Sequence, residues 1–294
     1  MTRAFIVGCP RSGTSVFLSR LGRVTNLWIA PETHFFGGIV GSGGLSSTTF
    51  RRKTLRGRVM RWVRRAATVF GMGTTIDTTH LDEMAEHLDL DILRQKAVPK
   101  SRRLAVNSAY FVDVFDSIAT SRDNEGWVEK TPRHLEYLNI IGRYVPGVRF
   151  LHVVRDGRMT VASLHDAAQR YPEFAHMSDV DRCVQRWNSY IRITERYAAK
   201  PNHLVVNYHR FVEDPQATLV QVADFLGCSF HADDAGEAEG GEQEESVMPG
   251  EHWKSRVAAP LEDTGLEKFN ALFDDAQRAH IEATLIESGS VERF

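Results

Sequence analysis

An apolar run, Ala4-Phe5-Ile6-Val7, leads directly into "GCPRSGTS", residues 8–15. That junction constrains the fold more than any other stretch of the chain. Gly8, Gly13 and the hydroxyl pair Thr14-Ser15 have the spacing of a phosphate-binding loop. A strand, a glycine turn and a helix start aim several backbone N–H groups and a helix dipole at one point, which makes an anion site. Loops that bind ATP or GTP carry a lysine after the second glycine. Thr14 stands there instead, and Arg11 sits inside the loop. Losing the lysine argues against cleavage of a β–γ phosphate bond, while Arg11 still neutralises an anion without a metal.

Downstream, the apolar periodicity alternates between strand and helix. Strands are expected at 3–8, 127–128, 149–154 and 203–208. Helices are expected at 15–24, 80–96, 108–121, 159–170, 179–199, 215–227 and 263–287. "RFLHVV" (149–154) is the continuous apolar run of a strand buried on both faces. The alternation implies an α/β fold, a P-loop-NTPase-like parallel sheet flanked by helices on both faces. Residues 1–294 read as one domain, with a variable helical insert at about 37–126. Within that insert, 37–48 reads as a Gly/Ser/Thr-rich loop. Val59, Trp62, Val63, Ala66 and Phe70 then recur at helical spacing among eight cations between 51 and 65. This basic amphipathic helix is either a solvated face or a surface for an anionic acceptor or lipid. Residues 233–245 hold seven carboxylates and read as an acidic loop.

A second anion site is legible in "VVRDGRMTVAS" (153–163), where Arg155 ends a strand and Ser163 follows eight residues later in a helix. Arginine offers phosphate oxygens a planar fork of donors, and the serine adds a hydroxyl. Together these two stretches resemble the phosphate-binding motifs of sulfotransferases that use 3′-phosphoadenosine 5′-phosphosulfate (PAPS). The loop is most similar to the form found in tyrosylprotein, carbohydrate and many bacterial sulfotransferases. Ser15 replaces that form's last threonine, and Gly157 replaces a frequent proline of the second motif. The resemblance implies that Pro10, Arg11, Ser12, Gly13, Thr14 and Ser15 hold the 5′-phosphosulfate. It likewise implies that Arg155 and Ser163 hold the 3′-phosphate, a group that ATP lacks. A third segment, 205–227, resembles the family stretch whose tyrosine, here Tyr208, approaches the adenine. "GEHWKSRV" (250–257) resembles, with shifted spacing, a late basic segment that closes over the cofactor. There Lys254 and Arg256 would reach the 3′-phosphate and Trp253 would cover the base.

Sulfuryl transfer needs an acceptor oxygen in line with the sulfur, a cation at the leaving oxygen and a base for the acceptor proton. Arg11 is the first cation. Lys130 in "EKTPRH" is the second, because that segment resembles the lysine-bearing loop of related enzymes. For the base, "APETHFF" (30–36) resembles the stretch that carries a catalytic glutamate, matched here by Glu32. His34 is the rival, since imidazole titrates near neutrality unaided, and His134 and His152 are further candidates.

The bulk numbers exclude several other classes. A net charge of -2 gives no general pull toward nucleic acid. Cys9, Cys183 and Cys228 are too scattered for a disulfide framework or a zinc site. No membrane span or secretion leader is read, so a cytoplasmic location is the expectation. A metal-free, PAPS-dependent sulfotransferase acting on a small-molecule, carbohydrate or lipid hydroxyl is the function expected, and PAP is its product. A P-loop kinase or NTPase and a non-catalytic nucleotide-binding module are the alternatives.

Overall fold

In a computed structural model, the described residues are 1–41, 67–88, 91–231 and 265–287. The basic helix at 51–65, the acidic loop at 233–245, and Trp253, Lys254 and Arg256 lie outside them. Five parallel strands form one sheet in the order β2-β3-β1-β4-β5. They are β1 (Thr2–Gly8), β2 (Leu27–Ala30), β3 (Gly126–Lys130), β4 (Arg149–Val154) and β5 (His203–Asn207). The helices are α1 (Thr14–Val24), α2 (Phe35–Val40), α3 (Thr79–His87), α4 (Asp91–Gln95), α5 (Leu104–Ser121) and α6 (Leu138–Tyr144). They continue with α7 (Gly157–Arg170), α8 (Val180–Tyr197), α9 (Tyr208–Glu213), α10 (Pro215–Leu226), α11 (Gly265–Leu272) and α12 (Asp275–Thr284).

The central strand shows why both faces are covered. Phe5 and Val7 point into one apolar cluster with Phe111, Phe115, Trp127 and Val184. Ala4 and Ile6 point into the other, with Phe17, Leu21, Phe211 and Val222. Successive side chains of a strand face opposite sides, so an unbroken apolar run requires helices on both. Full burial of each large side chain stabilises the fold by about 1.5–3 kcal/mol.

Several boundaries differ from the sequence reading, each for a local reason. The expected helix at 80–96 divides into α3 and α4. The expected terminal helix divides at Asp274, which caps α12 with Gln277 in a reciprocal pair of hydrogen bonds. β2 and α2 fall in stretches too short to show periodicity. Tyr208, read as the end of a strand, instead opens α9, because the Asn207 side chain accepts from the amides of His209 and Arg210. Phe70, read on the apolar face of the basic helix, sits at a turn and is exposed. None of the described helices is long and apolar enough to cross a membrane.

This topology fixes where a ligand can sit. The chain leaves β1 toward β2 on one side and leaves β4 toward β5 on the other. Adjacent strands with diverging connections open a crevice at their C-terminal ends. Gly8 pairs with Val153 at that divergence, so the loop at 8–15 and Arg155 emerge side by side.

Candidate functional site

The loop owes its shape to its glycines. A Cβ on Gly8 would lie 2.5 Å from the Val153 carbonyl oxygen of the neighbouring strand. Gly13 has a φ of 88°, and a Cβ there would lie 2.1 Å from the ring of Tyr208. Only glycine tolerates that backbone and that approach together. Arg11 also has a positive φ, 73°. The Ser12 amide donates to the Cys9 carbonyl at 3.1 Å and closes the turn. Neither a capping side chain nor an acidic residue occupies the first turn of α1, so its positive end keeps its field.

On one side the crevice is lined by cations. Arg11 Nε donates to Ser163 Oγ at 3.3 Å, which links the loop to α7. Burial holds Arg11 below the ordinary arginine value; Tyr171 and Asp166 pull it up, and nearby Arg155 lowers it further. The Arg155 guanidinium stacks 4.9 Å from the centre of the Tyr208 ring. Asp156 caps α7 by accepting from the amides of Arg158 and Met159. A Cβ on Gly157 would lie 2.8 Å from the end of the Leu285 side chain and 3.2 Å from Trp187, so a larger residue there would displace Leu285.

The other side is a network of short, polar side chains. Lys130, at the end of β3, is 1% exposed; it is ion-paired with Glu32 Oε1, and its Nζ donates to Ser15 Oγ at 3.0 Å. His34 Nε2 lies 3.6 Å from Glu32 Oε2 and is more exposed, at 59% against 13% for Glu32. Thus Ser15, Lys130, Glu32 and His34 form one chain of contacts.

Beneath it lies a residue the sequence reading passed over. Glu129 is fully buried, and its Oε1 accepts from the Thr33 amide (3.0 Å), the Thr33 hydroxyl (2.9 Å) and the Thr131 hydroxyl (2.5 Å). His134 Nδ1 donates to Glu129 Oε2 at 2.9 Å, while His134 Nε2 accepts from the Phe36 amide. Thr131 Oγ1 also accepts from the His34 amide at 3.2 Å. Burial alone would push the Glu129 carboxyl up, but His134 and the hydroxyl and amide donors outweigh it and hold the carboxyl below its ordinary value. Glu129 therefore ties the backbone of the stretch bearing Glu32 and His34 to the strand bearing Lys130. Only the adjacency of Glu129 to Lys130 marked it in the sequence.

Two candidate bases are removed by geometry. His134 is fully buried with both ring nitrogens engaged. His152 is fully buried in β4, hydrogen-bonded to His203 and Thr194, and burial pushes it down to about 3. Both belong to the core.

The protein has an α/β fold whose two cationic motifs meet at the switch point of its parallel sheet. The profile of the sulfotransferase family matches residues 3–232, and the chain belongs to that family. It is 29% identical over 100 residues to a protein-tyrosine sulfotransferase of Drosophila melanogaster, spanning 33% of this chain but only 20% of that protein. Its fold is similar to the sulfotransferase domain of the Synechococcus PCC 7002 olefin synthase (TM-score 0.56, 17% identity, 96% of this chain and 93% of that one). The sulfotransferase domain from the curacin biosynthetic pathway is comparable (TM-score 0.55, 14% identity, 96% of each chain). Mouse sulfotransferase SULT7A1, solved in complex with PAP, shares the fold at TM-score 0.52 and 11% identity, over 96% of this chain and 82% of that one.

Proposed function

We propose that the protein transfers a sulfuryl group from PAPS to a hydroxyl of a small-molecule, carbohydrate or lipid acceptor, by in-line displacement and without a metal. One observation carries this reading. Tyr208 packs against Gly13 of the loop and under the Arg155 guanidinium, so both anion-binding motifs border one crevice. An adenosine compound charged at its 5′ and 3′ positions suits two such cationic ends. When bound, PAPS supplies the sulfuryl group: the sulfur–oxygen bond to its 5′-phosphate breaks as a bond from sulfur to the acceptor oxygen forms.

The chain's own residues do the rest. The loop from Pro10 to Ser15, through the backbone N–H groups of Arg11, Gly13, Thr14 and Ser15, and the Arg11 side chain hold the 5′ end. Arg155 and Ser163 hold the 3′-phosphate, and Tyr208 lies along the base. Lys130 reaches the loop from β3, supplying the charge that the loop's own sequence lacks. It neutralises the oxygen from which sulfur departs. Glu32 accepts the acceptor's proton, with His34 beside its second oxygen. Lys254 and Arg256 are assigned to closing the 3′-phosphate site on the strength of the sequence resemblance.

Calorimetry with PAP, AMP and ATP, each with and without EDTA, tests this reading. PAP is expected to bind at least about 100-fold more tightly than AMP, as two extra charge-assisted contacts would give. EDTA should change nothing. Tighter binding of ATP than of PAP, dependent on Mg²⁺, would show an NTPase-type site instead.

A further inference from the structure

Near Cys9, at the root of the loop, Arg186, Glu136 and Arg133 leave three side-chain atoms without hydrogen bonds. Arg186 of α8 is 8% exposed, and its Nη2 has no hydrogen-bond partner. Its guanidinium lies 5.9 Å from the ring centre of Tyr190. The Tyr190 hydroxyl donates to Glu136 Oε1 at 2.8 Å, while Glu136 Oε2, on a side chain 1% exposed, has no partner. Arg133 Nε stands 3.7 Å from Glu136 Oε1 and is also unpartnered. Buried polar atoms are almost always hydrogen-bonded, and three orphan atoms near one tyrosine, on side chains of which only Arg133 is substantially exposed (43%), point to a place that takes a ligand.

Position and charge specify that ligand. His176, which is exposed, lies within the fields of both Arg133 and Arg186, so the cluster has a solvent-facing rim. On the inner side it meets Cys9, adjoining Pro10 and Arg11. Burial pushes the Cys9 and Cys183 thiols up to about 12, so neither contributes negative charge. Two arginines against one carboxylate leave a net positive site. The orphan donors, Nη2 and Nε, want oxygen acceptors, and Glu136 Oε2 wants a hydroxyl.

We propose that Arg186, Arg133 and Glu136 form an acceptor subsite beside the donor loop, which binds an anionic oxygen group carried by the acceptor, a carboxylate or a phosphate or sulfate ester. The proposal rests on the sulfuryl-transfer reading and narrows it to anionic acceptors.

The test is calorimetry on PAP-saturated protein with benzoate, phenyl phosphate and phenyl sulfate, each compared with neutral benzyl alcohol. At least one oxyanion should bind about tenfold more tightly than the alcohol, as expected for a hydrogen bond to a charged donor. Arg186→Met should abolish that preference while leaving PAP affinity unchanged. Glu136→Gln, which removes the opposing charge and keeps the Tyr190 contact, should strengthen oxyanion binding several-fold. Should Arg186→Met lose its fold, Arg133→Met and Glu136→Gln carry the test. Equal binding of oxyanions and alcohol, or an oxyanion preference insensitive to these substitutions, overturns the subsite and assigns the orphan atoms to water. Failure of PAP itself to bind would overturn the sulfotransferase reading instead.

Discussion

The two walls of the crevice are organised differently. On the Lys130 wall, short side chains lock one another: Glu129 collects four donors, and Lys130, Ser15 and Glu32 are already in contact. On the Arg155 wall, long cations rest on an aromatic ring and a serine, and burial, with Arg155 nearby, holds Arg11 below its ordinary value. The first wall is pre-organised for a step that needs fixed geometry. The second gathers long cations whose charge a bound anion neutralises. Catalysis and donor affinity are therefore assigned to opposite walls.

Substitutions on each wall should separate those two quantities. The largest effect expected is from Lys130→Met: a loss of about 10³-fold in kcat, since a preorganised charge at a developing anion is worth that much, with a smaller loss of PAP affinity because the same oxygen remains on the PAP 5′-phosphate. Arg155→Met should instead weaken PAP by about 100-fold in calorimetry and leave the loop intact. If both variants lose affinity and turnover in the same proportion, the division between walls is wrong.

Glu129→Gln probes the support beneath the first wall. Breaking a buried, multiply bonded charge typically costs about 3 kcal/mol, to be read from urea unfolding. Turnover should fall along with stability, because Thr33 and Thr131 lose the anchor that positions Glu32 and His34. An unchanged kcat would confine Glu129 to the core.

The smallest effect lies far from either wall, in the His152–His203 pair. Burial lowers His152 from 6.5 to about 3 and His203 to about 4. The unfolded chain therefore takes up protons first as pH falls below about 6.5, and the folded state loses relative stability until the pair itself protonates. Stability is fully present above pH 6.5 and should drop between pH 7 and pH 5 by on the order of 2 kcal/mol from His152, with a smaller share from the less completely buried His203. His203→Gln should remove only that smaller share of the fall, measured by thermal or urea unfolding across the range.

Much of the wall that carries the loop and Arg155 was readable in the chain. Gly8, Gly13, Arg155 and Ser163 carry their spacing in the sequence, and the continuous apolar run at 149–154 with strands alternating with helices foretold a sheet covered on both faces. The opposite wall was far less so. Glu129 stands beside Lys130 in a quoted segment but only Lys130 was marked there, and Arg186 sits in a stretch with no motif of its own. His134 and His152 looked like candidate bases until burial removed them. A side chain's availability depends on what packs against it from elements dozens of residues away, and no local pattern encodes that.

Residue order set the elements that depend on near neighbours: glycines where φ turns positive, Asp156 and Asn207 capping their helices, and apolar runs for strands. Long-range packing set everything that depends on distance through space. It brought Lys130 to Ser15 across 115 positions of sequence and Arg11 to Ser163 across 152. Hydrogen bonds and charge interactions act over a few ångströms, so whether a residue is a base, a strut or a cation for a ligand follows from the fold that collects its neighbours.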